Sequence, residues 1–369
     1  MHLVTLKDYF AIQFSRTSGT HHAAFEPGKP YLLSNYQFAK LTEAQSACVA
    51  RASVADSRFT NFNALVERGS VLFWSGAGGF GDQMMAWPVA RLLSKLGHRV
   101  HVMVDPGLML TWCGFPWVES IVQAPAYYSE VKLYDHHCLF ETVTNADEHP
   151  DQLHPVDSML KRIGLDPAQV DAADKVVKPH FTRSELAGAE QMSQGKKFAI
   201  YQLASAGDSR SLSPERSADV LHALATAFPD WHWLAAYDPF LKYGYQLKAE
   251  ALSVPNVSVR FLPNLRLLWA LTSQAQVVVA PDSMMVHAAG SFGVPCVGLW
   301  GPTDPATRAK YYQNHLAIWK RQTCPASPCF QHSALPACCP DRATRECCEP
   351  LLQITPDEVV AAVKTITGS

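Results

Sequence analysis

The sequence predicts an α/β protein with two doubly wound domains, and three observations lead to this prediction. The chain of 369 residues is long for a single core, and its 48% of apolar residues can fill two. From Val71 onward, short apolar runs alternate with amphipathic helical segments, which is typical of parallel sheets covered by helices. The same alternation restarts near Lys196. We therefore expect an extension, two domains and a last helix, over residues 1–70, 71–190, 191–350 and 351–369.

Composition and charge narrow the classes of function. The net charge is −2 with no run of like charges, which does not favour a dedicated polyanion binder. No apolar stretch approaches the ~18 residues of a membrane span. The N-terminal segment has no basic start and places Asp8 among its apolar residues, unlike a secretory signal. These features predict a cytoplasmic protein without a transmembrane segment and with mostly reduced cysteines.

The first seventy residues carry no pattern that predicts chemistry. The run FEPGKPYLLSNY predicts a turn and a short strand, and Tyr36–Val54 has apolar residues at roughly helical spacing. We interpret this segment as an appended subdomain of its own.

The stretch from Val71 to Leu96 predicts a strand, a glycine-rich turn and a helix. The strand is the apolar run Val71–Trp74, and the helix is predicted to begin behind Asp82 and to stop at Gly97. A second strand is predicted over Arg99–Val104, so the three elements form a βαβ unit on a parallel sheet.

The rest of the first domain is less regular. A strand is predicted over Val118–Val122, and residues 124–155 then mix aromatic, histidine and acidic side chains. Long irregular stretches in α/β domains are often substrate-binding loops. A short helix is predicted over Val156–Ile163, and the polar segment 166–195 is predicted to carry the crossing between the domains.

The second half repeats the alternation of strands and helices, which predicts a second doubly wound domain. Its predicted strands are FAIYQLA, HWLAAY, VSVRFL, QVVVA and CVGLW. Its predicted helices are Pro214–Phe228, Leu265–Ser273, a segment that ends at Phe292, and Pro356–Ile366 behind a Thr355–Glu358 capping box.

The glycine-rich turn is the first of two motifs that could carry chemistry. Gly76-x-Gly78-x-x-Gly81, with Asp105 about twenty residues later, formally matches a dinucleotide fingerprint and would indicate an NAD-dependent oxidoreductase. Asp82 speaks against this, because a carboxylate at the mouth of the helix would repel a cofactor pyrophosphate. An acid there suits a base that faces a hydroxyl group. The alternative is that Asp82 only caps the helix.

The second motif is APDSMMVHAAGSFGVPCVGLWGPTDP, which begins at Ala280. Its helix is predicted to place Ser283, His287 and Ser291 on one face, at i, i+4 and i+8. A hydroxyl and an imidazole then lie beside a helix N-terminus at the carboxyl end of a strand, the usual ligand position in such sheets. The alternative is that Asp282 caps the helix and His287 is a hydrogen-bonded surface histidine.

Both motifs resemble those of glycosyltransferase family nine, the bacterial lipopolysaccharide heptosyltransferases. The second motif looks like the donor-binding signature of that family, and GGFGDQMMAWPVARLL is similar to its N-terminal Gly-Asp motif. The resemblance runs from about Val71 to the C-terminus and implies the GT-B fold, in which two Rossmann-like domains face a cleft. Residues 1–70 depart from the family pattern.

The resemblance implies roles for individual residues in the transfer of a sugar from a nucleotide-sugar donor to an acceptor hydroxyl. Asp82 matches the catalytic base of the family, and the loop SAGDSRSLSPE matches the loop that holds the donor diphosphate. Arg210 lies one position away from the place where the family has a lysine. The residues assigned to donor binding are Ser205, Arg210, Asp282, Ser283, Met284 and His287.

The transfer is predicted to be inverting and metal-independent, with no cofactor beyond the donor substrate. Inverting transfer needs a base for the proton of the acceptor and positive potential for the departing diphosphate. No D-x-D motif occurs that could hold a metal, so Arg210 and the N–H groups at Ser283–Met285 are expected to stabilise the leaving group. A catalytically silent sugar-binding protein is the alternative, and the presence of Asp82 and Asp282 makes it less favoured.

Acceptor recognition is expected in the first half. Gly79 and Gly81 let a substrate approach main-chain N–H groups, and Tyr127 and Tyr128 suit stacking on a ring. Ordinary packing is the alternative for these aromatic residues and for their polar neighbours Tyr134, His136 and His137. We expect the acceptor to be a glycan of the type that heptosyltransferases use. The alternatives are a protein, another small glycan or a modified nucleic-acid base, and the net charge of −2 does not favour the last of these.

Six of the ten cysteines fall between residues 324 and 348. With His332 nearby, one interpretation is a structural zinc site with ligands Cys324, Cys329, Cys338 and Cys347. The gaps are not of the paired C-x-x-C kind, so thiols or disulfides that pin a loop are the alternative.

Overall fold

The computed structural model of the protein describes residues 2–6, 10–16, 19–25, 30–33, 49–52, 64–65, 68–124, 126–142, 153–237, 243–330 and 348–369. The chain forms two compact units, Met1–Pro179 and His180–Ser369. Each unit contains a parallel sheet with helices, so the predicted α/β class is confirmed. Among the helices described, none is both long and apolar enough to cross a membrane.

Short antiparallel strands form the described part of the N-terminal extension. They are β1 (His2–Leu6), β2 (Phe10–Arg16), β3 (Gly19–Phe25), β4 (Pro30–Leu33) and β5 (Val49–Ala52). One sheet has the order β4-β1-β5, and β2 pairs with β3. The prediction of a helix over Tyr36–Val54 is wrong at Val49–Ala52, because the backbone of these residues pairs with β1. The rest of that predicted helix lies outside the described residues.

The described residues of the first unit also form a four-stranded parallel sheet in the order β8-β7-β6-β9. The strands are β6 (Ser70–Ala77), β7 (Arg99–Val104), β8 (Val118–Gln123) and β9 (His136–Thr142). The strand β6 is longer than predicted because Ser75 and Ala77 continue to pair with β9. Gly76 therefore lies in the strand rather than in the turn.

The strand β9 corrects the interpretation of residues 124–155 as an irregular loop. Two adjacent histidines make this run look polar, but one nitrogen of each ring hydrogen bonds to a main-chain carbonyl. His136 Nε2 lies 2.9 Å from Arg68 O, and His137 Nε2 lies 2.7 Å from Val131 O. Because each ring has a backbone acceptor, two histidines can lie in β9, the last strand at one edge of the described sheet.

The helices of the first unit cover its sheet. They are α1 (Phe80–Lys95), α2 (Tyr128–Val131) and α3 (Pro155–Arg162), with 3₁₀ turns at Pro106–Trp112, Pro167–Gln169 and Ala172–Lys175. The helix α1 begins before the predicted start behind Asp82, since Gly79 is its N-cap and Asp82 lies in its first turn. Past its end, Gly97 has the positive φ of 90° that the sequence predicts for a C-terminal glycine.

The described residues of the second unit contain a six-stranded parallel sheet in the order β12-β11-β10-β13-β14-β15. The strands are β10 (Phe198–Gln202), β11 (His232–Ala236), β12 (Val257–Arg260), β13 (Val278–Pro281), β14 (Cys296–Trp300) and β15 (His315–Trp319). The first five correspond to predicted strands, whereas β15 was not predicted. All run in one direction, so the loops after β10, β13 and β14 leave the sheet at the same edge.

Helices pack on both faces of this second sheet. They are α4 (Arg183–Ser193), α5 (Pro214–Ala227), α6 (Tyr243–Ala251), α7 (Leu265–Thr272), α8 (Met284–Phe292), α9 (Glu349–Leu352) and α10 (Pro356–Thr367). On one face α5, α6 and α10 enclose a buried core that includes Trp233 and Leu299. The predicted capping box of α10 is present, with Thr355 N–H 3.0 Å from Glu358 Oε2.

Candidate functional site

The turn between β6 and α1 contains the predicted base Asp82. Its carboxylate bends back to the start of its own helix, where Oδ2 accepts a hydrogen bond of 2.7 Å from Gly79 N–H. This bond satisfies a donor that would otherwise be unpaired at the helix terminus. Asp82 is therefore not the N-cap that the sequence left open as an alternative; it lies in the first turn and bonds to the N-cap residue Gly79. It is half-buried, and its assignment as a catalytic base stays a prediction.

The glycines of this turn are constrained by the same carboxylate. Gly78 has φ +113°, and a Cβ on it would lie 2.5 Å from Asp82 Oδ2, so only glycine fits. The predicted acceptor-binding residues Gly79 and Gly81 are the N-cap and the second residue of α1. Because the Gly79 N–H donates to Asp82, it is already engaged in the structure.

The aromatic residues predicted to bind an acceptor are partly occupied by packing. The Tyr127 ring lies 4.8 Å from the ring of Tyr31, which is 3% exposed, and the two backbones form a bridge. Tyr128 opens α2, and its side chain lies outside the description. The Tyr134 ring lies 4.8 Å from that of His101. Among these residues, Tyr127 links the N-terminal extension to the rest of the first unit.

In the second unit, the loop after β10 is held together by its own hydroxyl groups. Ser205 N–H donates to Ser211 Oγ at 3.0 Å, and Ser211 Oγ donates to the Gly207 carbonyl at 3.0 Å. Both serines are buried. A loop fixed in this way holds Arg210, at the end of a 3₁₀ turn, in one position.

The segments after β10, β13 and β14 meet at Asp282. Arg210 Nη1 donates to the Asp282 carbonyl at 3.0 Å, and it lies 3.9 Å from the carboxylate Oδ2. Thr303 Oγ1, from the GPTDP loop, donates to Asp282 Oδ2 at 2.8 Å. Asp282 is only 4% exposed, and both its backbone and its side chain join the three loops. This network brings Arg210 and Asp282 together, as the donor-site prediction requires.

The helix α8 starts directly behind Asp282, and Ser283 rather than Asp282 is its N-cap. Ser283 Oγ accepts from Met285 N–H at 3.4 Å. Ser283 and Met284 are half-buried and lie at the positive end of the helix. The carboxylate of Asp282 bonds to Thr303 instead. The alternative that Asp282 caps the helix is therefore wrong.

His287 lies inside the fold rather than on the surface. Its Nδ1 lies 2.9 Å from Tyr312 Oη, and both residues are buried. Burial lowers the pKa of His287 to about 4, and the nearby Asp282 carboxylate only partly opposes this shift. Its imidazole is therefore neutral at neutral pH. The Tyr312 ring fits closely over α8, because a Cβ on Gly290 would lie 2.2 Å from it.

Three residues around this network were not assigned from the sequence. Thr303 belongs to the GPTDP motif but had no predicted role of its own, and Tyr312 lies in a run without a pattern. Arg308 is 4% exposed; its Nη1 donates to the Thr307 carbonyl at 2.9 Å, and its guanidinium lies 5.3 Å from the centre of the Phe330 ring. Of the three, only Arg308 could have been noticed in the sequence, as a cationic residue soon after the GPTDP motif.

The predicted zinc ligands are only partly described. Cys324 is buried and Cys329 is half-buried, with its N–H donating to the Pro302 carbonyl at 3.0 Å. Cys338, Cys347 and the neighbouring His332 lie outside the described residues. Within the part of the chain that the structure describes, no three His, Cys, Asp or Glu side chains cluster as a metal site. The zinc assignment thus stays a prediction.

Two α/β units, with a ligand-type network at the carboxyl ends of the strands of the second, match the architecture of the GT-B glycosyltransferases. The family model of glycosyltransferase family 9 (heptosyltransferase) matches residues 246–337, which include α8 and the GPTDP loop. The match and the shared fold confirm the predicted resemblance to this family and the prediction of a glycosyltransferase. They do not favour the NAD-dependent oxidoreductase. Comparison with curated proteins gave no match.

Solved structures share the fold at low sequence identity. The E. coli ADP-heptose lipopolysaccharide heptosyltransferase II is 14% identical with a TM-score of 0.60, over 82% of this chain and 98% of that one. The glycosyl transferase family 9 protein from Veillonella parvula DSM 2008 is 14% identical with a TM-score of 0.63, over 84% and 99%. The iron-containing dodecameric glycosyltransferase TibC from enterotoxigenic E. coli H10407 is 10% identical with a TM-score of 0.55, over 99% and 91%.

Proposed function

We propose that this protein is an inverting, metal-independent glycosyltransferase that moves a sugar, of the heptose type, from a nucleotide-sugar donor to an acceptor hydroxyl in the cytoplasm. The observation that carries the proposal is the network in which Arg210 and Thr303 meet at Asp282, directly before the N-terminus of α8. This network lies at the carboxyl edge of a parallel sheet, where α/β folds bind their ligands. The family match over residues 246–337 supports a nucleotide-sugar as the ligand.

The donor diphosphate is proposed to bind between Arg210 and the start of α8. Arg210 uses Nη1 to hold the Asp282 carbonyl, and its buried Nε has no hydrogen-bond partner among the described residues. A guanidinium held in this way keeps further N–H donors for phosphate oxygens. The helix N-terminus adds positive potential at Ser283 and Met284. Ser205 and His287 are proposed to complete the donor site.

Asp82 is proposed to take the proton of the acceptor hydroxyl as its oxygen attacks the anomeric carbon. The bond from that carbon to the donor diphosphate breaks on the opposite side, which inverts the configuration. The departing diphosphate carries the negative charge, and Arg210 with the helix terminus stabilises it. No metal takes part in this step. The glycine-rich turn supports the role of Asp82, because Gly78 leaves room for its carboxylate.

The donor assignment is tested with Arg210→Ala. We expect the binding of ADP, the nucleotide of the heptose donor named for the E. coli relative, to weaken by ~10-fold or more, because a charge-assisted contact of ~1.5–3 kcal/mol is lost. UDP is the second probe, so a preference between the two identifies the base. The matched control is Arg183→Ala, which removes an exposed arginine at the start of α4. An unchanged dissociation constant in Arg210→Ala would move the phosphate site to Ser209 and Ser211.

Acceptor binding is proposed for the first unit, at Gly79, Gly81, Tyr127 and Tyr128. Since Tyr127 packs on Tyr31, Tyr127→Phe keeps the ring and removes only the hydroxyl, whereas Tyr128→Ala removes the ring of the next residue in the chain. We expect both changes to impair transfer while the slow hydrolysis of the donor is retained. A loss of donor binding instead would reverse the assignment of the two halves. Offering lipopolysaccharide-type glycans, peptides and nucleosides in parallel separates the acceptor classes.

A structural zinc site at Cys324, Cys329, Cys338 and Cys347 is proposed with no part in the transfer. The buried Cys324 is a suitable thiolate ligand, and the name of TibC shows that a protein of this fold contains a metal. Metal analysis of the purified protein is expected to give about one zinc per chain. Iron in place of zinc would mean that the site binds the metal that the name of TibC gives. EDTA should leave transfer unaffected. A metal-free protein with reducible disulfides in this segment would contradict the zinc site.

A further inference from the structure

The second unit contains an open cavity of about 170 Å³ that shares no lining residue with the candidate donor site. It follows one face of the sheet from the amino ends of β10 and β11, at Phe198 and His232, to the carboxyl end of β12, at Arg260. The donor site lies instead in the loops at the carboxyl ends of β10, β13 and β14. The lining residues are Met192, Ser193, Gln194, Lys196, Phe198, His232, Leu234, Ser258, Arg260 and Leu271.

The strand residues of this cavity all lie on one face of the sheet. Phe198 pairs with His232, and Leu234 pairs with Ser258, so these side chains share a face with Arg260, two residues further along β12. The opposite face carries the apolar core under α5, α6 and α10. On the cavity face the floor is apolar, whereas the wall formed by β11 and β12 is polar. Such a mixed lining is typical of small-molecule sites.

The charge of the cavity is positive. Its titratable residues are Lys196, His232 and Arg260, and no carboxylate lines it. Neither Lys196 nor Arg260 forms a salt bridge within the described part of the chain. Burial lowers the pKa of His232, and the charges of both cations lower it further. The neutral His232 ring bonds to Ser258 Oγ through Nε2 at 2.7 Å. Two cations thus flank one imidazole, and no carboxylate lines the cavity.

We propose that this cavity binds a small organic anion, a phosphate ester or a carboxylate, as a second ligand site of the protein. The anionic group binds beside His232 and Ser258, in the positive potential of Lys196 and Arg260. The apolar part of the ligand packs on Phe198, Leu234 and Leu271. An apolar cavity of ~150 Å³ holds one benzene ring, so the ligand is about the size of a single ring with one charged group.

The test uses the full-length protein with four small probes. Phenyl phosphate has a ring and a dianion, benzoate has a ring and one charge, inorganic phosphate lacks the ring, and benzyl alcohol lacks the charge. Binding is followed by the NMR signal of the His232 ring, assigned with His232→Asn. We expect phenyl phosphate to bind most tightly and benzyl alcohol least. A comparison of phenyl phosphate with benzoate then decides between a phosphate ester and a carboxylate.

Substitutions locate the bound anion. Lys196→Gln and Arg260→Gln should each weaken phenyl phosphate binding by ~10-fold, whereas the adjacent and exposed Lys197→Gln should not. Arg210→Ala should also leave it unchanged. Binding that Arg210→Ala abolishes belongs to the donor site and overturns the proposal, as does equal affinity for benzyl alcohol and phenyl phosphate. Since this site is independent of the proposed transfer, loss of transfer in Asp82→Asn has no bearing on it.

Discussion

The two strand-to-helix junctions of this protein look alike in sequence but are held together differently. At the first, β6 leads into α1, and the carboxylate of Asp82 bonds to Gly79, three residues away. At the second, β13 leads into α8, and Asp282 bonds to Thr303, which is 21 residues away, and to Arg210, which is 72 residues away. The bond between Asp82 and Gly79 is thus local, whereas the bonds of Asp282 join three loops that are distant in sequence.

This difference has a physical consequence for function. The Asp82 carboxylate bonds to the start of its own helix and is half-buried, so it remains within reach of a substrate. A carboxylate buried at 4% exposure needs partners that offset the loss of water, and it acts through the groups that it positions. The first junction is therefore suited to proton transfer, and the second to holding a ligand in place.

The largest effect is expected from Asp82→Asn. An amide oxygen still accepts from the Gly79 N–H, so the free energy of unfolding should stay within ~0.5 kcal/mol of wild type. Transfer should fall by at least ~10²-fold, since a general base is lost. Single-turnover assays and urea unfolding of the same preparation measure the two quantities. Normal turnover in a stable variant would show that Asp82 only caps the helix, and the first junction would then have no role in proton transfer.

The second prediction concerns the packing of the α8 junction. In Gly290→Ala, the new Cβ would lie 2.2 Å from the Tyr312 ring, which is itself buried and has little room to move. Overpacking of this kind should lower the free energy of unfolding by about 1–3 kcal/mol. Gly244→Ala is the matched control, because its nearest neighbour would be a Pro214 carbon at 3.8 Å. Equal stability of the two variants would show that the long-range junction is not tightly packed.

The local motifs of both junctions were predicted from sequence, and their distant partners were not. Gly97, the α10 capping box and the helix behind Asp282 depend on residues a few positions apart, so the sequence is sufficient to find them. The contact of Arg210 with Asp282 depends on how three strands are ordered in a sheet. Nothing in the run around Tyr312 marks it as the partner of His287, because that contact is created by the crossing of β14 and the chain after it.

The strand β9 illustrates the same limit in the first unit. Its histidines fit a half-exposed loop by composition, yet one nitrogen of each ring bonds to a main-chain carbonyl, of Arg68 or of Val131. Arg68 is 68 residues away from His136, and Val131 is six residues away from His137, so both acceptors lie outside the strand. A polar run is therefore a weak signal against a strand when backbone groups outside the strand can bond to it.

The third prediction uses the pKa of His287, which lies near 4 in the folded protein against about 6.5 when unfolded. Between these values the unfolded chain binds the proton more readily, so stability is full above pH 6.5 and falls as the pH decreases. The contribution of His287 at pH 5 is a loss of about 2 kcal/mol relative to pH 7. His315 responds in the same direction, and its effect is common to wild type and variant.

The measurement for this prediction is urea unfolding at pH 7 and pH 5. The His287→Asn variant should lose about 2 kcal/mol less stability than wild type over this interval, since it lacks the titrating ring. The control is His222→Asn, at an exposed position on α5, which should keep the response of wild type. A wild-type response in His287→Asn would mean that the imidazole is more accessible to water than its burial indicates.

The smallest effect is expected from Tyr312→Phe, which asks whether Tyr312 positions His287. The change keeps the ring over Gly290 and removes the hydroxyl that lies 2.9 Å from His287 Nδ1. Leaving a buried ring nitrogen without this partner should cost about 1 kcal/mol of unfolding free energy. If the hydroxyl also fixes the ring for donor binding, the KM for donor should rise while kcat stays nearly constant. Tyr237→Phe, a half-buried tyrosine packed on Phe261, is the matched control. A stability loss with an unchanged KM would restrict Tyr312 to a structural role, and the donor would then bind without a contribution from the Tyr312 hydroxyl.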